Sequence, residues 1–173
     1  MIYNIIEKAF WDFCNNYLEI VKGRAYNSEN KSAVNALMFT LDTFIKLFAP
    51  FCPFVTEEIY QACSWTNGKT IHLEPWPNMD EFANIISDDT ELYDALSVIS
   101  SEIRKEKTNA NVSLKTPVTN IQIKAPARII DVIKQGQEDL VNVGNLNTDA
   151  ASYTVADELS VCDITLGQLE SAQ

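Results

Sequence analysis

Apolar residues recur at helical spacing through most of the first 107 positions, and the pattern then changes to short alternating stretches. From residue 2 to 25, Ile2, Ile6, Ala9, Phe13, Tyr17 and Ile20 return every three or four residues. Phe10, Cys14, Leu18 and Val21 form a second row beside them. This spacing predicts one long helix, and its wide apolar arc predicts neighbours on more than one side. A polar break follows at NSENKS. Ser32 is placed to cap a second helix carrying Val34, Leu37, Leu41, Phe44, Ile45 and Phe48. That helix must stop near Pro50, because the residue before a proline avoids the helical region. Pro53 suits the first turn of a third helix, where its missing N–H costs nothing.

The stretch LFAPFCPFVTEEIYQ, residues 47–61, therefore predicts an elbow between two helices, with Phe51 and Phe54 packing its corner. A catalytic reading of the same stretch fails on geometry. Glu57 and Glu58 are adjacent and diverge by about 100° on a helix, so they form no acid/base pair. Cys52 has no histidine close in sequence to activate it, and His72 is the only histidine in the chain. Residues 64–80 are irregular. Ile71–Leu73 is expected to be a short extended segment, with Trp76 packed back on the helices. NGKT lacks the first glycine of a phosphate-binding loop. Asp88 with Glu91 resembles a capping box, opening a helix to about Lys107 with Leu92, Leu96, Ile99 and Ile103 inward. NANVSLKTP ends that helix. TNIQIK reads as a strand closed by Pro126, ARIIDVIKQ and EDLVNVGN as short helices, and 147–162 as one or two further strands. The expected fold is mainly α: a helical bundle over 1–112, then a small α+β C-terminal subdomain over 113–173.

Charge sharpens this picture. The chain carries a net charge of −11, which taken alone argues against nucleic acid. The charge is unevenly spread, however. Residues 101–134 hold Arg104, Lys105, Lys107, Lys115, Lys124, Arg128 and Lys134 against Glu102, Glu106 and Asp131. Such a basic island in an acidic chain is either a phosphate-contacting face or an ordinary solvated helix end. The four cysteines form no CxxC pair, and a lone histidine completes no metal site, so no metal ligand is assigned and free thiols in a cytoplasmic protein are expected. No apolar run approaches the roughly 20 residues of a membrane span, and the N-terminus has no secretory-signal pattern.

Four stretches, in order, carry a resemblance: FWDFCNNYLEIVKGRAY, LFAPFCPFVTEEIYQ, IHLEPWP and VISSEIRKEKTNANVSLKTPV. Together they resemble the anticodon-binding region of class I aminoacyl-tRNA synthetases, in the subgroup charging tRNA with branched aliphatic amino acids. The resemblance covers about residues 3–125. APFCPFVTEEIY and SEIRKEKTNANVSLKTP are nearest the valyl branch, while YLEIVKGRAY is also similar to isoleucyl members. The α+β tail departs from the long coiled-coil arm of many bacterial members and looks more like the archaeal-type branch.

The resemblance implies a C-terminal piece of a longer enzyme, with the first bundle helix upstream of Ile2. The HIGH and KMSKS motifs are absent from these residues, so no catalytic residue and no cofactor is expected here. The parent would use ATP with magnesium to attach valine to its tRNA. The implied partners are valine-specific tRNA and the remaining domains of the synthetase. The bundle is expected to grip the anticodon stem and loop, where bases stack on aromatic or arginine planes. Lys22 and Arg24 are the expected contacts, with Tyr26 and Trp11 as stacking partners. Arg104, Lys105, Lys107 and Lys115 are expected to hold backbone phosphates. Two other readings stay open at this level: Trp11 as a core residue, and Lys22 and Arg24 as complements to the helix dipole. A helical protein-docking module without RNA contact is the rival function, and it requires an exposed apolar stripe at Ile2, Ile6 and Phe13.

Overall fold

The computed structural model describes residues 2–26, 31–63, 68–83, 90–147 and 149–168. The predicted first helix is present as α1 (Ile2–Asp12) and α2 (Leu18–Tyr26), joined without a break by a π-helical turn at Phe13–Tyr17. A π turn inserts one residue into the helical repeat and rotates the buried face. The chain divides into two compact units, and one boundary falls inside this turn. The first unit comprises Met1–Asn15 and Asn27–Asp88, and the second Asn16–Tyr26 and Asp89–Gln173.

In the first unit, α1 packs on α3 (Lys31–Phe48) through an aromatic cluster. The Phe10 ring meets Phe44 and Phe48 edge-on at 5.5 and 5.4 Å, a favoured geometry for aromatic pairs. Ile6 is buried and Phe13 half-buried, so Ile2, Ile6 and Phe13 do not form the exposed stripe that a docking module needs. The elbow is as predicted: α3 ends before Pro50, and α4 (Pro53–Ala62) starts on proline. Its corner is not packed as expected. Tyr3 meets Phe51 at 5.2 Å, but Phe51 remains 46% exposed, and Phe54 is 90% exposed on the first turn of α4. The corner is held instead by polar bonds, with Thr56 Oγ1 donating to the Cys52 carbonyl at 2.8 Å.

Glu57 ties the following segment to α4. Its Oε2 accepts from Thr70 Oγ1 and from the Ile71 N–H, both at 2.9 Å. A bond from Gln61, with these two, holds its carboxyl below the usual range. Anchored this way, Ile71–Leu73 forms a 3₁₀ turn rather than the extended segment expected, with Thr70 as its cap. His72 is exposed. Trp76 is 54% exposed on a small cavity of about 170 Å³ beside Lys46 and Ala49. Asp88, the expected cap of the next helix, lies outside the described residues.

In the second unit, α6 (Glu91–Asn109) buries Leu96, Ile99 and Ile103, each at most 1% exposed. It packs on α7 (Ala127–Gln135) and α8 (Gln137–Gly144). A three-stranded sheet runs in the order β2–β1–β3, where β1 is Val118–Ala125, β2 Ala151–Val155 and β3 Ser160–Leu166. β1 pairs parallel with β2 and antiparallel with β3. Parallel pairing needs a crossover, and α7 and α8 supply it. Ile121, Ile123 and Ala125 alternate along β1 and are fully buried. Pro126 ends the strand, and Asn145 closes α8 in the left-handed conformation (φ 51°) that stops helices. The change of pattern at 112 and the division by packing differ, because α6 uses its apolar face against the helices of the tail.

Candidate functional site

Within the second unit, three helices and a loop line a cavity of about 530 Å³. α6 contributes Ser100, Ile103, Arg104 and Lys107, spaced i, i+3, i+4 and i+7 and therefore on one face. α2 contributes Glu19 and Lys22, one turn apart. The loop after α6 adds Leu114 and Lys115, and the end of α8 adds Asn142, Val143 and Asn145.

Lys107 fastens these walls together. It is 2% exposed. Its Nζ donates to the Leu114 carbonyl and to the Gly144 carbonyl, both at 3.0 Å. Asn145 Nδ2 donates to the Lys115 carbonyl at 2.6 Å, fixing the same loop from α8. A Cβ at Gly144 would lie 1.8 Å from Leu146 Cδ1 and 3.0 Å from Ile103 Cδ1, so a larger residue would force these side chains to shift. Among the described residues no carboxylate pairs with Lys107. Burial alone pushes its pKa below the ordinary lysine value.

Below the lowered native pKa both folded and unfolded chains hold the proton, and the penalty of the buried charge is constant. Between the native value and the unfolded one near 10.5, the unfolded chain binds more protons, so stability rises with pH. Lys107→Met should remove this alkaline rise. Urea midpoints of both proteins between neutral and alkaline pH check it, and parallel curves would refute it.

Four of the eight residues expected from sequence thus line one cavity: Lys22, Arg104, Lys107 and Lys115. They stand in different states. Lys22 forms a half-buried ion pair with Glu19 near the surface, worth about 1 kcal/mol and open to exchange for another anion. Arg104 Nη2 donates to Asn16 Oδ1 at 2.8 Å. Lys115 is exposed. Lys107 is committed to carbonyls and shapes the site from beneath.

The other four lie elsewhere. Lys105 faces away and lies 3.4 Å from Glu102. Arg24 is not directed at the cavity: its Nε stands 2.8 Å from Asp139 Oδ1, a carboxylate with 5% of its side chain exposed. Neither of these two atoms is straight enough on the other for a good hydrogen bond, so the contact is an ion pair. Tyr26, at the end of α2, is 87% exposed. Trp11 belongs to the first unit, 54% exposed with its ring 5.5 Å from Phe10, so it is neither core nor part of this cavity.

Sequence reasoning did not find Asn142, Asn145 or Asp139. One signal was available: Gly23 interrupts a helix, which costs about 1 kcal/mol relative to Ala and calls for a packing reason. Chemically the site presents a cationic surface, an apolar wall of Leu114 and Val143, and amide groups. That combination suits an anion joined to a flat, hydrogen-bonding group. Among the described residues no three His, Cys, Asp or Glu side chains stand together to hold a metal ion. No described helix is long and apolar enough to cross a membrane.

The family model for the anticodon-binding domain of tRNA ligase matches residues 1–123. The chain belongs to this family. It is 35% identical over 170 residues to the valine–tRNA ligase of Cutibacterium acnes, covering 95% of this chain and 19% of that protein. It is 38% identical to the valine–tRNA ligase of Leifsonia xyli over 94% of the chain and 19% of that protein. For that of Anaplasma marginale the identity is 39%, over 92% of the chain and 17% of that protein. The chain therefore spans about a fifth of the length of these relatives. Coverage of 95% extends the likeness well into the tail.

Proposed function

We propose that the chain binds the anticodon stem and loop of a valine tRNA, as the anticodon-binding part of a valine–tRNA ligase. The observation that carries this reading is the convergence of Lys22, Arg104 and Lys115 on one cavity in a chain of this family. The basic island at 101–134 is thereby joined to α2, distant in sequence, and a net acidic chain acquires one local cationic approach. Phosphates are held by the cations, while a splayed base finds the apolar wall and the amides. Acidic surface elsewhere disfavours other approaches to the polyanion.

In this reading a protein of the relatives' length attaches valine to the tRNA, using ATP with magnesium. The described residues do not fit that chemistry, for they offer neither a metal-ligand cluster nor a glycine-rich phosphate loop. Their contribution is to bind and orient RNA. The proposed compartment is the cytoplasm, where translation takes place.

Titrating the chain with valine tRNA and an anticodon-swapped copy at two salt concentrations tests the proposal. Preference for the valine anticodon, with affinity falling as salt rises, is expected. Lys22→Glu with Lys115→Glu should lower affinity at least tenfold and flatten the salt dependence by about one unit of slope per lost phosphate contact. Equal affinity for both tRNAs, untouched by the double substitution, would sink the reading.

A further inference from the structure

Gly23 sits inside α2, where alanine would be about 1 kcal/mol better for the helix. The reason for glycine is visible across the cavity wall. A Cβ at position 23 would stand 2.3 Å from Asn142 Nδ2, 2.6 Å from its Cγ and 3.0 Å from its Cβ. The missing methyl is the space in which the Asn142 side chain lies. Lys22, the next residue, lines the same cavity.

The amide that Gly23 accommodates is unused. Asn142 is exposed, lines the cavity, and has no hydrogen bond from its side chain among the described residues. Asn145, three residues on, differs in this respect, since its amide is spent on the Lys115 carbonyl. A carboxamide offers a donor and an acceptor side by side, the pairing that reads the edge of a nucleobase. Leu114 and Val143 give a base an apolar surface, and the cations provide for a phosphate. A cavity of about 530 Å³ lies within the roughly 300–1,000 Å³ of small-molecule sites.

We infer that Asn142, seated against Gly23, reads the edge of one unstacked RNA nucleotide whose phosphate lies among Lys22, Arg104 and Lys115. The inference rests on the RNA-binding function proposed above and assigns it a specificity-determining residue. The lysines supply affinity without regard to sequence, and Asn142 supplies a preference at one loop position.

The test titrates the full 173-residue chain with stem-loop RNAs that differ by one loop base at a time, and with the four nucleoside 5′-monophosphates. The wild-type chain should prefer one base at one position. Asn142→Ala should erase that preference, a loss of about 5- to 100-fold in discrimination, while leaving the salt dependence unchanged. Gly23→Ala keeps the amide but moves it, and should erase the same preference in a protein with undiminished helix content. Asn142→Ala that weakens every RNA equally, or keeps the preference, overturns the inference and leaves the function standing. A wild-type chain that binds no stem-loop overturns the function as well. A monophosphate that binds as tightly as the stem-loops would reassign the cavity to free nucleotides and overturn the RNA assignment.

Discussion

Arg24→Ala should destabilise the second unit by about 2–3 kcal/mol, less than the 3–5 kcal/mol of a fully buried pair because water reaches the arginine. Arg24 has 37% of its side chain exposed, while Asp139 has 5%. Removing the arginine leaves a carboxylate in a nearly dry position. Burial already holds the Asp139 carboxyl above its ordinary value, Glu138 adds to this, and Arg24 opposes it. A carboxyl raised in the folded state binds more protons there than in the unfolded chain. Its penalty is therefore fully present above the native pKa and disappears as pH falls below the unfolded one. Without Arg24 the native value rises further, so the variant's deficit should be largest near neutrality and shrink on acidification. Arg24→Ala with Asp139→Asn should recover much of the loss, because the stranded charge is gone. Urea unfolding of the wild type and both variants at mildly acidic and neutral pH decides this. A single variant as stable as the wild type at neutral pH would show the pair to be inert.

Ile123→Ala should cost about 3–4 kcal/mol, within the 2–5 kcal/mol of large-to-small core substitutions. Ile123 is fully buried on the central strand, opposite Tyr153 of β2 and Val161 of β3. The cavity left behind is flanked by a paired strand on each side, so little can relax into it. Ile123→Val should cost about 0.5–1.5 kcal/mol. Val155→Ala, at a 70% exposed position of β2, should stay within about 0.5 kcal/mol. Circular dichroism and amide exchange on β1 are the right probes. Equal effects at 123 and 155 would refute the assignment of β1 as the centre of the sheet.

The helices were legible because each buries one stripe, and a stripe leaves a 3.6-residue period that needs no partner to be seen. The elbow was legible because Pro50 and Pro53 act through their own rings. The packing of its corner was not, because whether Phe51 and Phe54 are covered depends on what the rest of the chain brings there. Ile71–Leu73 was misread as extended for a similar reason. Three residues carry no period, and Glu57, 14 positions away, sets their shape.

The candidate site divides along the same line. The basic residues near 104–115 could be found from composition, since charge excess is local and additive along the chain. Their fates could not. Lys105 and Lys107 are two residues apart on one helix, yet one faces solvent and the other lies under a loop. Arg24 and Lys22 are equally close, yet one answers a buried aspartate 115 residues on and the other opens on the cavity. The sequence by itself determined the helical first part, the α+β tail, the family and the basic island, because each is written in local pattern, motif and composition. The tertiary structure alone decided which cations gather, which one is buried, and that Asn142 stands where Gly23 has no side chain. Those outcomes depend on the approach of α2, α6 and α8, and a distance between elements far apart in the chain leaves no periodic trace in any one of them.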